Sequence, residues 1–103
     1  MKKFGLKVVS KRKFVEFCKR NHIRSLSLFG SILRNDFSRS SDIDVLVEFE
    51  IGHVPGFFDL IEMEEALSYM FGERKVDLRT PNDLSRYFRD DVLAEAEAVY
   101  IES

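Results

Sequence analysis

The sequence predicts an α/β domain, a small mixed β-sheet with helices packed mainly on one face, and three observations predict it. Residues 23–29, 42–50 and 75–79 alternate apolar and polar side chains at the two-residue period of a strand. Around them, apolar residues recur at i, i+3 and i+4, the stripe by which a helix buries one side. Strands and helices take turns along the chain in the order αβαβαβα, the succession that layers helices on a sheet. With 103 residues, residues 1–103 make one domain, because a second core would have too little material.

Each element has its own local reason. Ser10 is a helix cap, and Phe14, Phe17 and Cys18 form the stripe behind it until Asn21 and His22 end the helix. In the strand over 23–29, Leu26 and Leu28 share one face, and Gly30 stops it. Residues 31–36 allow a short helix, and residues 37–41 (FSRSS) a polar loop. In the next strand Ile43, Val45, Val47 and Phe49 face one way, with Asp42, Asp44, Leu46 and Glu48 facing the other. Gly and Pro break the chain over 52–56. Leu60, Met63, Leu67, Met70 and Phe71 then repeat at helical spacing up to a Gly72 cap. In residues 75–79 Val76 and Leu78 oppose Asp77. Thr80 and Pro81 open one or two closing helices that use Leu84, Tyr87, Phe88, Val92, Leu93, Ala96, Val99 and Tyr100.

Composition narrows the classes of function. A hydrophobic content of 45% is that of a folded globular protein. No apolar run is long enough for a membrane span or a secretory leader. A single cysteine, Cys18, cannot form an internal disulfide, which fits a reducing cytoplasm. The net charge of −2 hides an asymmetry: residues 1–24 carry nine Lys or Arg against one acid, Glu16, while the rest carries seven basic and 17 acidic groups. The basic segment is suited to a polyanion, an acidic partner, or simply solvent, so direct nucleic-acid binding has weak support.

Chemistry concentrates on the polar faces of the strands. Asp42 and Asp44, two residues apart on one strand face, present carboxylates about 7 Å apart along the backbone. Unpaired acids beside a core repel each other and resist desolvation, and a divalent cation removes that penalty. Hard oxygen ligands suit Mg²⁺. Asp77 offers a third carboxylate, and such a set holds two ions roughly 3.5–4 Å apart, the arrangement used in phosphoryl and nucleotidyl transfer. Gly30 lets backbone approach a ligand closely, while Ser31 and the N–H groups of the following turn can hold phosphate oxygens, with Arg34 in reach. A nucleoside triphosphate fits between the two halves.

Taken together, Gly30-Ser31, Arg34, the run Ser41-Asp42-Ile43-Asp44-Val45-Leu46-Val47 and Lys75-Val76-Asp77-Leu78 resemble the minimal nucleotidyltransferases, the MNT branch of the DNA polymerase β-like superfamily. The tail from Thr80-Pro81 through Glu95-Ala96 to Tyr100 is similar as well. The resemblance implies the nucleotidyltransferase fold, Asp42, Asp44 and Asp77 as catalytic metal ligands for Mg²⁺, and Gly30 and Ser31 as the triphosphate-binding turn for ATP. It also implies a cytoplasmic antitoxin that pairs with a HEPN-domain toxin in a hetero-oligomer and silences it by transferring AMP to a tyrosine hydroxyl. Every motif position is present.

Two other functions remain open. A non-catalytic antitoxin would neutralise its partner by contact alone, using the basic segment and apolar side chains such as Phe57, Phe58 and Tyr87. An aminoglycoside-type, small-molecule nucleotidyltransferase would need an additional acceptor domain that 103 residues do not accommodate. His22 and His53, at a helix end and in a loop, lack the spacing of zinc ligands. No His–Asp relay accompanies Ser10 or Ser31 to make either a hydrolase nucleophile.

Overall fold

The computed structural model describes residues 10–34 and 40–102. Helix α1 (Lys11–Arg20) starts where expected, with the Lys13 N–H donating to Ser10 Oγ at 3.3 Å. It ends with the Asn21 side-chain amide on the Phe17 carbonyl at 2.9 Å and with His22 at φ 56°. Strand β1 (Ile23–Phe29) follows at once, and β2 (Ile43–Phe49) returns antiparallel to it. Helix α2 (Phe57–Met70) crosses over to β3 (Val76–Arg79), which is parallel to β2, as a parallel pair requires a crossover. Helix α3 (Arg89–Glu95) leads into β4 (Glu97–Ile101), antiparallel to β1. The sheet order is β3-β2-β1-β4, so the sheet is mixed.

One face of this sheet carries the core. Leu26, Leu28, Ile43, Val45, Val47 and Val76 are buried against Phe14, Phe17 and Cys18 of α1 and Met63, Leu67 and Met70 of α2. Phe71 closes the helix side, its ring 6.1 Å from that of Phe14. At about 25 cal/mol per Å² of buried apolar surface, this layer is the main source of stability. Burying the alternate residues of β2 also sets which residues stand on the opposite face, and these are the aspartates.

Three sequence expectations are corrected. The described part of the short helix expected over 31–36 is a 3-10 turn, Gly30–Leu33, and residues 35 and 36, like most of the expected loop over 37–41, lie outside the described residues. The segment opened by Thr80 and Pro81 is a single 3-10 turn, Pro81–Asp83, because the Thr80 N–H and hydroxyl both donate to Asp83 Oδ2 at 3.1 and 3.0 Å and Leu84 is already extended. Val99 and Tyr100 lie on β4 and not on a closing helix. A register shift there pairs Leu26 with Tyr100 and Ser27 with Ala98, leaving Val99 as the extra residue. Both Val99 and Tyr100 thus pack against the core. Leu46, on the aspartate side of β2, is buried outside the main cluster, as is Leu84 just after the second 3-10 turn.

Candidate active site

Sheet topology gathers the expected residues at one end. The C-terminal end of β1, with Gly30 and Ser31 beyond it, meets the N-terminal end of antiparallel β2, where Asp42 and Asp44 stand. Parallel β3 brings its own N-terminal end, with Asp77, to the same place. Asp44 is registered against Phe29 on one side and Asp77 on the other. Paired residues of neighbouring strands share a face, with strands about 4.8 Å apart. The register is locked by the Ile43 N–H donating to the Lys75 carbonyl at 2.8 Å.

Gly30 has φ +77°, and its backbone lies against the Asp44 carboxylate. A Cβ there would sit 3.1 Å from Asp44 Cγ and 3.4 Å from Asp44 Cβ. Only glycine meets both the left-handed backbone and the close approach. The turn is anchored by buried Ile32 and by the Arg34 N–H donating to the Ser31 carbonyl at 2.9 Å. Ser31 is half-buried beside the site, and Arg34 is exposed.

Electrostatics report how the charges converge. Partial burial raises the Asp44 pKa above the ordinary value for an aspartate, Asp77 and Asp42 raise it further, and Arg79 and Arg34 oppose the rise. Asp42 has Lys75 Nζ 3.9 Å from its Oδ2, an exposed and weak pair. Asp77 is engaged more closely, with Arg79 Nε donating to both carboxylate oxygens at 3.2 and 3.3 Å and a second guanidinium nitrogen to Oδ2 at 3.2 Å. These bonds raise the Arg79 pKa. Sequence reasoning missed Arg79, although its signal was present: residues 77 and 79 are two apart on one strand and so share a face.

The three aspartates share a face without closing on one another. Among the described residues, the group of three ligating side chains whose donor atoms all lie within 4.8 Å of one another is His22, Glu50 and His53, at the other end of β2. The expectation that His22 and His53 have no ligand spacing is therefore corrected in space: their rings stack at 3.7 Å. Phe57, Phe58 and Tyr87 are exposed, as expected for an interface.

The chain and its fold have relatives among known proteins. A family model described as a nucleotidyltransferase domain matches residues 11–99. The protein adenylyltransferase MntA of Thermococcus cleftensis is 36% identical over 86 residues, covering 84% of this chain and 82% of its own. A toxin–antitoxin complex with AMP-PNP has the same fold, with a TM-score of 0.70 at 20% identity over 92% of this chain and 76% of that one. So does a complex of tri-AMPylated Shewanella oneidensis HEPN toxin with MNT antitoxin, with a TM-score of 0.62 at 18% identity over 88% of this chain and 69% of that one. The match across nearly all of the described fold, with a relative of this similarity, makes the chain a member of the nucleotidyltransferase-domain family, in the group that includes the protein adenylyltransferase MntA.

Proposed function

We propose that this nucleotidyltransferase transfers AMP from ATP to a tyrosine hydroxyl of a HEPN-domain toxin, and that it acts as that toxin's antitoxin. The observation that carries the reading is the register of Asp44 against Asp77, with Gly30 backed onto Asp44. The named activity of the Thermococcus relative and the AMPylated toxin in the Shewanella complex support the acceptor class.

A divalent cation of the Mg²⁺ class fits the donor set. Three carboxylates share one face, and Asp44 bears the cost of acidic neighbours that a cation relieves. Asp42 and Asp44 would hold it, with Asp77 as a further ligand, and when bound it supplies neutralisation of the charge on the transferred and leaving phosphates. Gly30 keeps the backbone open at the triphosphate. The Ser31 hydroxyl and the N–H groups opening the turn donate to phosphate oxygens, and Arg34 adds charge from one turn on. The acceptor oxygen attacks the α-phosphorus in line. Its proton passes to the Asp77 carboxylate, the new O–P bond forms, and the bond to the leaving pyrophosphate breaks. Arg79 holds Asp77 in place until the site fills.

A second reading is neutralisation by contact, favoured by the exposure of Phe57, Phe58 and Tyr87, at 72%, 77% and 83%. ATP labelled at the α-phosphate, incubated with the chain and its purified toxin, separates the two. Label on the toxin that requires Mg²⁺ and is lost with chelator supports transfer. An unlabelled but inhibited toxin leaves contact as the mechanism.

A further inference from the structure

We propose that His22, Glu50 and His53 form a zinc site, remote from the aspartate face, that ties the loop after β2 to the turn before β1. One donor atom from each residue lies within 4.8 Å of the other two. Around a tetrahedral Zn²⁺ the donor atoms sit roughly 3.3 Å apart, so the set closes on an ion by drawing in its donor atoms and turning its imidazole rings.

The backbone, not chance side-chain placement, brings the three together. The Glu50 N–H donates to the His22 carbonyl at 2.8 Å, and the His53 N–H donates to the Glu50 carbonyl at 3.0 Å. The first of these bonds extends the β1–β2 pairing beyond its last registered pair, Ile23 with Phe49. Glu50 and His22 are thus fixed by the end of the sheet, and His53 by a one-turn bend. His22 Nδ1 is 3.5 Å from Glu50 Oε1, and the imidazoles stack at 3.7 Å with planes 10° apart. Parallel rings cannot both aim a lone pair at one ion, so loading rotates them apart about their Cβ–Cγ bonds. Both rings are on the exposed side and have room to turn.

Donor chemistry selects the ion. Two imidazole nitrogens and one carboxylate oxygen form the His₂Glu set of zinc sites with a fourth position open, whereas Mg²⁺ favours oxygen alone. His22 and His53 also line a cavity of about 640 Å³, together with Arg20, Asp59 and Glu62. A further carboxyl, that of Glu102, stands beside Glu50. Glu50 lies six residues along the strand direction from Asp44, about 20 Å at the rise of a β-strand, so the ion would act by closing a loop and not on the transferred phosphate.

The test is calorimetric titration of the full-length, untagged, chelator-stripped chain with zinc chloride in excess Mg²⁺. One Zn²⁺ per chain is expected, and the same in Asp44→Asn, which leaves this end of the sheet intact. His53→Ala should weaken binding by more than about 100-fold, beyond the effect of losing a group that merely supports a ligand. His22→Asn should do likewise, asparagine being chosen because it tolerates a positive φ. Imidazole NMR signals of His22 and His53 should move together with zinc, and circular dichroism establishes that each variant is folded; His53, in an exposed loop, keeps the test available if His22→Asn is not. A wild-type chain that takes up no zinc, or a His53→Ala chain that takes it up with unchanged affinity, overturns the proposal.

Discussion

The backbone of Gly30 rests directly on the carboxylate of Asp44, at φ +77°, with room for no side chain between them. The triphosphate half and the metal-binding half of the proposed site are therefore one packed unit. A change on either side displaces the other.

Gly30→Ala tests this coupling. The methyl group meets Asp44 Cγ at 3.1 Å while the backbone is held in a left-handed conformation, which together should cost about 1–3 kcal/mol of stability. Displacing the carboxylate by even about 1 Å should lower nucleotidyl transfer by roughly 100-fold. Thermal unfolding and single-turnover labelling measure the two effects separately.

Asp44→Asn should uncouple stability from activity. Because the folded-state pKa of Asp44 is raised, chiefly by burial and then by Asp77 and Asp42, the folded protein binds more protons than the unfolded chain at pH values from 3.8 upward to the raised pKa. Its contribution to stability is full below that window and is lost as pH rises through it. Asparagine removes the buried charge, so in chelator at neutral pH the variant should be at least as stable as wild type, by up to about 1 kcal/mol, and its pH dependence in the acidic range flatter. Unfolding curves across that range, with and without chelator, check the sign.

Arg79 competes with any cation for Asp77, through the forked bonds at 3.2 and 3.3 Å. Removing it in Arg79→Gln should tighten divalent-cation binding in the absence of nucleotide by roughly two- to fivefold, in keeping with about 0–1 kcal/mol for an exposed ion pair. Titration with Mn²⁺ followed by electron paramagnetic resonance measures this directly, and weaker binding would show that Arg79 organises the site instead.

Cys18 is fully buried between α1 and the sheet, and burial pushes its thiol pKa up to about 12. A thiol reagent at neutral pH should therefore modify the native chain only through unfolding, at a rate that rises with denaturant as global opening does. Rapid labelling under native conditions would mean that α1 opens independently of the sheet.

The aspartate face was legible because the alternation of Ile43, Val45 and Val47 leaves Asp42 and Asp44 one direction to point. The Asp44–Asp77 register was not, since it depends on how α2 crosses over and on the Ile43–Lys75 hydrogen bond. Strand β4 was hidden by helix-forming alanine and glutamate at 94–98, while the better signal was the β-branched and aromatic run Val99-Tyr100-Ile101. Pairing with β1 overrode local propensity. His22 and His53 stand 31 positions apart and meet only because β1 and β2 bring their outer ends together, which no ligand spacing in the sequence encodes.

The most direct test of the central claim is the intact mass of the toxin co-expressed with this chain, compared with the same toxin co-expressed with Asp44→Asn. The account predicts a toxin heavier by one or more whole AMP units with the wild-type chain, located on tyrosine, and an unmodified toxin with the variant. An unmodified toxin in both preparations, or equal modification in both, would contradict it.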